Sequence, residues 1–396
     1  MRPAARRDDL LVWNANARRS PPGIDWEVLF CVTALLAIGA VMVFSATASF
    51  AENPNYNGTA YSYLIRHLVT MGVAAVAGFI VYRFPMSFWE RWAFPIGAVS
   101  VLLLVVVLIP GAGREVNGAV RWIGRGAFQF QVSEAVKVGA LLVAAAFTVR
   151  KQEYMHSFQR GLFPMAIPMM AIAFLLMQQP DLGATVVIVT IVMGVLFIGG
   201  LALHIFGTVI ALVAALVVGM IMITPWRLGR VFAYLDPWDE KYVLGQAYQL
   251  SHSLIAFGRG ELFGVGLGGS IEKLNYLPEA HTDFIMAVVA EETGFVGVIL
   301  ILFIFYWLIR RAFEIGRQAI KIERYFAGLL AQGVGVWFAA QVFINIGVAS
   351  GALPTKGLTL PFVSYGGSSM LAALVAVAML LRVDKENKIL MRGGQV

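Results

Sequence analysis

Residues 275–308 read NYLPEAHTDFIMAVVAEETGFVGVILILFIFYWL, a stretch that is apolar apart from a few charged side chains near its start. From Asp283 to Leu308 it is long enough for a helix that crosses the hydrocarbon core of a bilayer, which needs about 20 apolar residues. A carboxylate inside such a helix is costly unless it is paired. Glu291 and Glu292 are therefore expected to pair with other spans or with backbone groups, whereas Asp283 stands at the start of the helix.

The composition of the whole chain points to a membrane as well. Of its 396 residues 59% are hydrophobic and 13% are charged, whereas soluble domains carry about 25% charged residues. The single cysteine, Cys31, excludes a disulfide within the chain and a cysteine metal site. The five scattered histidines do not suggest a histidine metal cluster. The first apolar run follows a polar, arginine-rich tail and is too long for a cleavable signal peptide.

Ten apolar segments are predicted to be membrane-spanning helices. They lie at residues 27–49, 65–84, 92–110, 129–149, 161–178, 182–200, 203–225, 283–308, 324–349 and 365–383. Only the short sequence GGLALH, residues 199–204, separates the sixth from the seventh. The predicted fold class is an all-α polytopic membrane protein with about ten transmembrane helices and one long extracytoplasmic loop at about 226–282. The domains are then a cytoplasmic tail at 1–24, a transmembrane domain at 25–385 and a second cytoplasmic tail at 386–396.

The distribution of lysine and arginine predicts that both tails are cytoplasmic. Cytoplasmic loops are enriched in these residues, and with the N-terminus inside, most of the 30 basic residues fall in inner tails and loops. The net charge of +7 is then an orientation signal, and no nucleic-acid partner is expected. The chain is predicted to cross a membrane many times.

The basic residues in the predicted outer loops are exceptions to this rule. Long outer loops tolerate charge, which accounts for the segment 226–282. The short loop 111–128 is harder to explain, because NGAVRWIGRG places Arg121 and Arg125 on either side of Trp122. Clustered basic side chains on the outer face would suit an anionic ligand such as a phosphate.

Three further polar motifs also fall on the predicted outer side. Glu134 and Lys137 can form a local ion pair that is either structural or part of a polar cavity. In QQPDLG, residues 178–183, Asp181 is expected to cap the next helix, and the same simple explanation applies to Asp283. The segment 345–369 ends in a glycine- and serine-rich helix start, which offers free backbone N–H groups to an anion or lets helices pack closely. Together the motifs predict an outward-opening, mixed-charge cavity of an enzyme or a transporter.

Several of these motifs resemble those of one known family. NYLPEAHTDFIMAVVAEETG, GVASGALPTKGLTLPFVSYGGSS, QQPDLG, FGVGLGGS and NGAVRWI are similar to motifs of the SEDS proteins, named for shape, elongation, division and sporulation. The resemblance extends over nearly all of residues 25–390 and is stronger to the division members than to the elongation members. One departure is QVSE at 131–134, where the family usually has QPSE, so that Val132 replaces a proline.

The resemblance implies an activity. SEDS proteins are peptidoglycan glycosyltransferases that polymerise lipid II at the outer face of the cytoplasmic membrane. With no cleavable signal evident, the resemblance implies a bacterial inner membrane as the location. Division members work at the septum with a class B penicillin-binding protein, an FtsI-like transpeptidase, and with other divisome membrane proteins. A divalent cation, Mg²⁺ or Mn²⁺, is implicated in the family, and no organic cofactor is expected.

The resemblance also assigns residues to the site. Asp283, in the HTDF motif, matches the catalytic aspartate, which would act as a base or as a metal ligand. An ordinary aspartate has a pKa near 4 and is a weak base at neutral pH unless its surroundings raise the pKa. The expected substrate-binding residues are Arg121, Trp122, Glu134, Lys137, Arg259, Lys273, His281, Lys356, Ser364, Gly366, Gly367 and Ser368.

Two other functions remain open from the sequence. One is a flippase or transporter for a lipid-linked precursor, although such carriers often contain internal repeats and broken helices, and none is evident in the sequence. The other is a division scaffold without activity, which would leave the polar outer cavity unexplained.

Overall fold

The computed structural model describes residues 23–48, 59–116, 119–124 and 129–395. Nearly all of the predicted N-terminal tail, residues 1–24, and Arg125 lie outside these ranges. The helices are α1 Trp26–Ala46, α2 Ala60–Arg83, α3 Met86–Leu108, α4 Val132–Arg150, α5 Phe163–Gln178, α6 Leu182–Ile198, α7 Leu203–Ile223, α8 Pro225–Leu235, α9 Glu240–Val243, α10 Tyr248–Gly260, α11 Ile285–Lys321, α12 Tyr325–Ala349 and α13 Gly367–Met391. A 3₁₀ helix at Gln152–Tyr154 and a π-helical turn at Phe158–Leu162 connect α4 to α5.

The chain is a multi-pass membrane protein. In the described ranges eight helices are long and apolar enough to cross a bilayer: α1 to α4, α5 with its preceding π turn, and α11 to α13. Two shorter apolar helices, Leu182–Ile198 and the stretch Leu203–Ala215 of α7, coincide with the predicted sixth and seventh spans. The predicted break between them is confirmed at Gly199–Ala202, where Gly200 has a φ of 102°. The predicted count of ten remains a prediction.

The centre of the bundle is α12, which packs against α4, α6, α11 and α13. Its aromatic residues Trp337 and Phe338 are among the largest fully buried side chains. In contrast α7 packs mainly against α6 and α8. The apolar side chains of its described residues, such as Leu203 and Met222, are largely exposed. The hydrophobic sequence thus serves two purposes, a tightly packed interior and a surface that faces lipid.

A small sheet is an addition to the predicted all-α fold. Its strands β1 Gly113–Val116, β2 Ala119–Ile123 and β3 Phe130–Gln131 are antiparallel in the order β1-β2-β3. The β-forming residues of AVRWI favour an extended backbone. The third strand runs directly into α4, and the backbone N–H of Gln131 donates to the Ser368 hydroxyl near the start of α13 (2.8 Å). We call the end of the bundle that carries these strands the sheet end.

Helix α11 is broken at Gly294, where φ is 66° and ψ is −166°. The freed backbone groups bind the segment that follows α10. The amides of Val265 and Gly266 donate to the carbonyls of Glu291 and Glu292 (both 3.0 Å), and the amides of Phe295 and Val296 donate back to residues 261 and 262. Irregular backbone at such depth requires substitute partners of this kind. No broken helix was evident in the sequence, so this break was not predicted.

Substitution of Gly294 by alanine is expected to destabilise the protein by roughly 1–3 kcal/mol. The positive φ strains any L-residue, and a Cβ atom would lie 2.4 Å from the Gly264 amide and 2.5 Å from the Leu262 carbonyl oxygen. Thermal unfolding in detergent would measure the loss. The control is Gly258→Ala in α10, where a Cβ has no neighbour within 4 Å and helix propensity favours alanine. An equal effect of both substitutions would contradict the prediction.

The segment predicted as one long loop, 226–282, contains the three helices α8, α9 and α10. Helix α10 packs against α11 and α12. At the opposite end of the chain α13 continues to Met391, so the predicted tail 386–396 begins inside a helix. The side chains of Glu386 and Asn387, at the start of that tail, are buried.

Candidate active site

A groove of about 640 Å³ opens at the sheet end of the bundle. Its walls come from four parts of the chain: strand β2, the turn before α6, the region from α8 to α10, and the segment between α12 and α13. The lining residues are Arg121, Pro180, Asp181, Leu182, Gly183, Arg230, Gly245, Gln246, Tyr248, Gln249, Pro278, Thr355, Lys356 and Gly357. Three of them, Arg121, Arg230 and Lys356, are cationic, so the groove can attract an anionic ligand.

The guanidinium group of Arg121 is fixed by the turn that precedes α6. Its Nε donates to the Gln179 carbonyl (2.8 Å) and its Nη2 donates to the Pro180 carbonyl (2.7 Å). A guanidinium has five N–H donors, so these two bonds leave others for a ligand. The positively charged group is therefore held in place before any ligand arrives, which lowers the entropic cost of binding.

Asp181, in the same turn, has the structural role predicted for it. One carboxylate oxygen accepts from the amide of Ala184 (3.1 Å), which caps α6. The other oxygen lies 3.3 Å from the Ser133 hydroxyl and 3.4 Å from the amide nitrogen of Gln131. The carboxylate thus joins α6 to the start of α4.

Asp283 lies at the edge of this groove, beside the lining residue Gly357. It precedes α11, whose N-cap residue is Phe284 and has no side-chain capping bond, so the simple capping explanation for Asp283 is wrong. A Cβ atom built on Gly357 would be only 2.6 Å from the Asp283 Oδ2 atom. The glycine therefore leaves room for a carboxylate that faces the groove.

The surroundings of Asp283 change its acidity. Burial raises the pKa of this carboxyl group to about 7, and the negative charges of Glu279 and Asp181 raise it further, while Arg121 opposes them. A carboxylate with a pKa near the ambient pH is suited to general acid–base catalysis.

A polar stripe on α12 holds the backbone around this aspartate. Asn345 donates from Nδ2 to the carbonyls of Asp283 (2.9 Å) and Leu358 (2.5 Å). One turn earlier, Gln341 donates to the Thr359 carbonyl (2.9 Å) and accepts from the indole of Trp337 (2.7 Å). The buried stripe therefore fixes the position of Asp283 relative to the segment that carries Gly357.

The predicted ion pair in α4 is confirmed, and it lies inside the bundle rather than in the groove. The Lys137 Nζ atom is 2.7 Å from the Glu134 Oε1 atom, and both residues are buried. The ammonium group also approaches the amide oxygen of Gln341 (3.5 Å) and lies 5.8 Å from the centre of the Trp337 ring. The pair is thus connected to the polar stripe on α12.

Glu291 and Glu292 pair with other elements, as the sequence predicted. Glu291 accepts from Arg259 (2.6 Å), from the Ser270 hydroxyl (2.5 Å) and from the backbone amides of residues 271 and 272. Glu292 accepts from Lys273 and from the hydroxyl of Ser45 in α1 (both 2.6 Å). Arg259 and Lys273, which were expected to bind substrate, have these carboxylates as partners and do not line the groove.

The remaining predicted residues surround the site without lining the groove. Trp122 is half-buried in β2, next to Arg121 but on the opposite face of the strand. His281 is buried against Tyr365, and burial lowers the pKa of its imidazole.

The predicted serines and glycines near the start of α13 have structural contacts. The hydroxyls of Ser364 and Ser368 accept from the backbone amides of residues 360 and 131. Gly366 and Gly367 are the N-cap and the first residue of α13.

The structure thus brings together only part of the predicted set. Arg121 and Lys356 line the groove with Asp283 at its edge. Sequence reasoning missed Arg230 of α8, the positioning residue Asn345, and Gly357. Arg230 was visible as a basic residue in an outer segment, and Asn345 as a polar residue inside an apolar run. Nothing in the sequence marked Gly357 as the neighbour of Asp283.

The predicted divalent cation has no ready-made cage in the described part of the chain, where no group of three or more His, Cys, Asp or Glu side chains could hold a metal ion. Mg²⁺ usually takes only one or two carboxylates and fills its shell with water and substrate phosphates. Asp283 alone therefore fits a cation that arrives with its substrate better than a resident metal.

Comparison with known proteins gives consistent matches along the chain. The sequence model of the cell cycle protein family FtsW/RodA/SpoVE matches residues 26–389. A protein of Burkholderia thailandensis named probable peptidoglycan glycosyltransferase FtsW is 54% identical over 373 residues, which cover 94% of this chain and 81% of that protein. A protein of the same name from Nitrosomonas europaea is 45% identical over 372 residues, covering 94% and 95% of the two chains.

Two solved structures have the same fold. One was determined in a study of the structural coordination of polymerization and crosslinking by a peptidoglycan synthase complex. It superposes with a TM-score of 0.74 at 30% identity, covering 92% of this chain and 98% of that chain. The other is the rod shape determining protein RodA of Thermus thermophilus, with a TM-score of 0.65, 30% identity and the same coverage.

Proposed function

Because this chain belongs to the FtsW/RodA/SpoVE family of cell cycle proteins, we propose that it is a peptidoglycan glycosyltransferase that polymerises lipid II during septal cell-wall synthesis. The observation that carries the proposal is the position of Asp283, with its raised pKa, at the edge of a groove lined by Arg121, Arg230 and Lys356. A proton acceptor thus lies close to cations that suit a pyrophosphate.

The proposed reaction joins two lipid-linked sugars. A hydroxyl group of one lipid II molecule attacks the anomeric carbon of the other, and the bond from that carbon to the pyrophosphate oxygen breaks with inversion. Asp283 takes the proton of the attacking hydroxyl as the new glycosidic bond forms. The cations of the groove stabilise the negative charge on the leaving undecaprenyl pyrophosphate. The proton then passes to solvent, which returns Asp283 to its carboxylate form.

The cation that the resemblance implies remains a second proposal for the same residue. Asp283 would help to hold Mg²⁺ or Mn²⁺, and the cation would supply positive charge that neutralises the leaving pyrophosphate. Addition of a chelator to the reaction tests it. A loss of polymerisation that Mg²⁺ or Mn²⁺ restores would support the metal role, and full activity in the chelator would leave Asp283 with the base role alone.

The orientation and the partner belong to the proposal as well. We place the sheet end at the outer face of the inner membrane and both termini in the cytoplasm, because most lysine and arginine residues then lie inside. One structural neighbour comes from a peptidoglycan synthase complex in which polymerization and crosslinking are coordinated. A class B penicillin-binding protein is therefore the proposed partner at the septum, with other divisome membrane proteins around it.

A flippase is the second candidate, and the break in α11 is the observation that favours it. The backbone groups freed at Gly294 are, however, already hydrogen-bonded to residues 261–266 of the same chain. Glu134, Glu291 and Glu292 each have a cationic partner inside the protein. Their charges are therefore already neutralised within the protein, which argues against a role in carrying ions or substrate across the membrane.

The decisive experiment adds lipid II to the purified full chain, alone and with its class B partner, and separates the products by size. We expect glycan strands, with the partner either required or stimulatory. Vesicles of the same preparation, loaded with labelled lipid II, report movement between leaflets. Movement without any strands would support the flippase, and neither product under any partner or cation condition would support the scaffold.

Gly357→Ala is expected to lower the polymerisation rate roughly tenfold to a hundredfold, because a displacement of about 1 Å can cost that much. The new methyl group would push the Asp283 carboxylate, 2.6 Å away, out of position. The matched control is Gly245→Ala in the same groove, whose nearest neighbour is 3.8 Å away. Normal activity of Gly357→Ala would place the working position of Asp283 elsewhere.

A further inference from the structure

We propose that the end of the bundle opposite the groove carries a binding site for the headgroup of an acidic phospholipid. The site is a pocket of about 290 Å³, here called the basic pocket, between the start of α1, the end of α2 and the end of α13. Three cationic residues, Lys385, Lys388 and Arg392, line it together with Ile24 and Tyr82. Nothing in the proposed polymerisation reaction uses these residues.

The basic pocket lies at the level where membrane-spanning helices meet water. Helix α1 begins at Trp26 and α2 ends at Arg83, so the residues next to these positions lie where headgroups are expected. Trp26 is 72% exposed, and tryptophan is enriched at the interface of a bilayer. Basic pockets between helices at this depth are typical sites for anionic lipid headgroups.

One of the three cations is already neutralised by the protein. The Lys388 Nζ atom is 2.5 Å from the Asp384 Oδ2 atom and 3.8 Å from the Asp25 Oδ2 atom. Asp25 is in turn bound by Arg311 at 2.6 Å. Arg311 also pairs with Glu314, which in turn pairs with Arg310. These three carboxylates and three cations form a balanced cluster beside the pocket. Lys388 therefore contributes shape and hydrogen bonding more than net charge.

The other two cations have no such partner in the described residues. No carboxylate among them lies within 4.0 Å of Lys385 or Arg392. Lys385 lies over the ring of Tyr82, with its Nζ atom 5.1 Å from the ring centre. The Arg392 Nε atom is buried without a hydrogen-bond partner there, which is costly for a charged donor. A phosphate oxygen would supply the missing acceptor, and a guanidinium group binds phosphate well.

The walls of the pocket favour a phosphodiester with a lipid attached over inorganic phosphate. Ile24 and Ile389 give the pocket an apolar side, which suits the glycerol and the first acyl carbons of a phospholipid. Lys385, Lys388 and Arg392 are spaced by three and four residues, so they share one face of α13 and its end. All three line the same pocket, so a headgroup bound there would lie next to each of them.

The test measures binding of a short-chain acidic phospholipid to the purified full chain in a neutral detergent. The probe is dihexanoyl phosphatidylglycerol, titrated while thermal unfolding is followed, and the comparison ligands are dihexanoyl phosphatidylcholine and inorganic phosphate. The pocket variant is Lys385→Gln with Arg392→Gln. The control variant is Arg317→Gln with Lys321→Gln, two exposed cations on α11, toward the same end of the bundle but outside the pocket. Lys385→Gln alone serves if the double variant does not fold.

We expect saturable binding of the acidic lipid that the pocket variant weakens roughly tenfold or more, since two charge-assisted contacts are lost. The control variant should change the affinity less than twofold. An equal loss of affinity in the pocket variant and the control variant would mean that the lipid responds to general surface charge, and it would overturn the proposal. Phosphate that binds as tightly and competes would identify a free anion as the ligand. Absence of saturable binding of the acidic lipid to the wild type would also overturn the proposal.

Discussion

Asp283→Asn is expected to lower lipid II polymerisation by roughly 10²–10⁴-fold, the contribution typical of a general base. The amide has nearly the same shape as the carboxylate but cannot accept the proton of the attacking hydroxyl. The backbone bond from Asn345 to the carbonyl of residue 283 does not depend on this side chain, so the local fold should persist. Strand synthesis by the wild-type and variant chains, each with the class B partner, measures the effect.

The matched control is Glu240→Gln, which removes an exposed carboxylate at the start of α9. It should polymerise at the wild-type rate. Substantial activity in Asp283→Asn, with normal activity in the control, would leave the chain an enzyme but move its proton acceptor elsewhere. Gel filtration with the partner would show that the inactive variant still folds and binds.

The pH dependence of the reaction follows from the same carboxyl group. Because the pKa of Asp283 is raised to about 7, the rate should rise with pH below 7 and level off above it. The stability should change in the opposite direction. Between the unfolded pKa near 4 and the folded value, the folded chain binds more protons than the unfolded chain, so the free energy of unfolding falls as pH rises. Asp283→Asn should lack this decline, which unfolding temperatures between pH 4 and pH 8 would reveal.

Lys273→Met is expected to destabilise the protein by roughly 3–5 kcal/mol, the usual cost of leaving a buried charge without its partner. The ammonium group of Lys273 is 2.6 Å from Glu292, and both side chains are almost completely buried. Methionine fills a similar volume but has no charge. The Glu292 carboxylate then keeps its hydrogen bond from the Ser45 hydroxyl but loses its cationic partner. Thermal unfolding in detergent gives the loss.

The double variant Lys273→Met with Glu292→Met separates the two explanations for such a loss. Removal of both charges abolishes the unpaired ion, so the double variant should be clearly more stable than Lys273→Met alone. Lys321→Met, an exposed lysine at the end of α11, provides the control for the change in composition. If the double variant were less stable than both Lys273→Met and Lys321→Met, the main role of Lys273 would be packing rather than pairing with Glu292.

Much of the architecture could be predicted from the sequence, because membrane-spanning helices are specified locally by length and hydropathy. The break at Gly199–Ala202 followed from the short sequence GGLALH between two apolar runs. The pairing of Glu291 and Glu292 followed from the cost of an unpaired carboxylate in a membrane. The sheet joins neighbouring segments between residues 113 and 131, most of which was predicted as a loop. The break at Gly294 depends on residues 261–266, about thirty positions earlier in the chain, which no local pattern reveals. For the same reason Arg259 and Lys273 resembled ligand-binding residues until the structure supplied their carboxylate partners.

The long-range pairs described above set an order for the biogenesis of the protein. Ser45 and Glu292 are separated by 247 residues, and Asp25 and Arg311 by 286. At roughly 5–20 residues per second, a ribosome takes on the order of 10–60 s to synthesise the later partner of each pair. During that interval the polar groups of α1 must stay hydrated or find temporary partners in the insertion machinery. A nascent chain arrested before α11 therefore carries an unsatisfied N-terminal helix, which quality-control proteases could recognise.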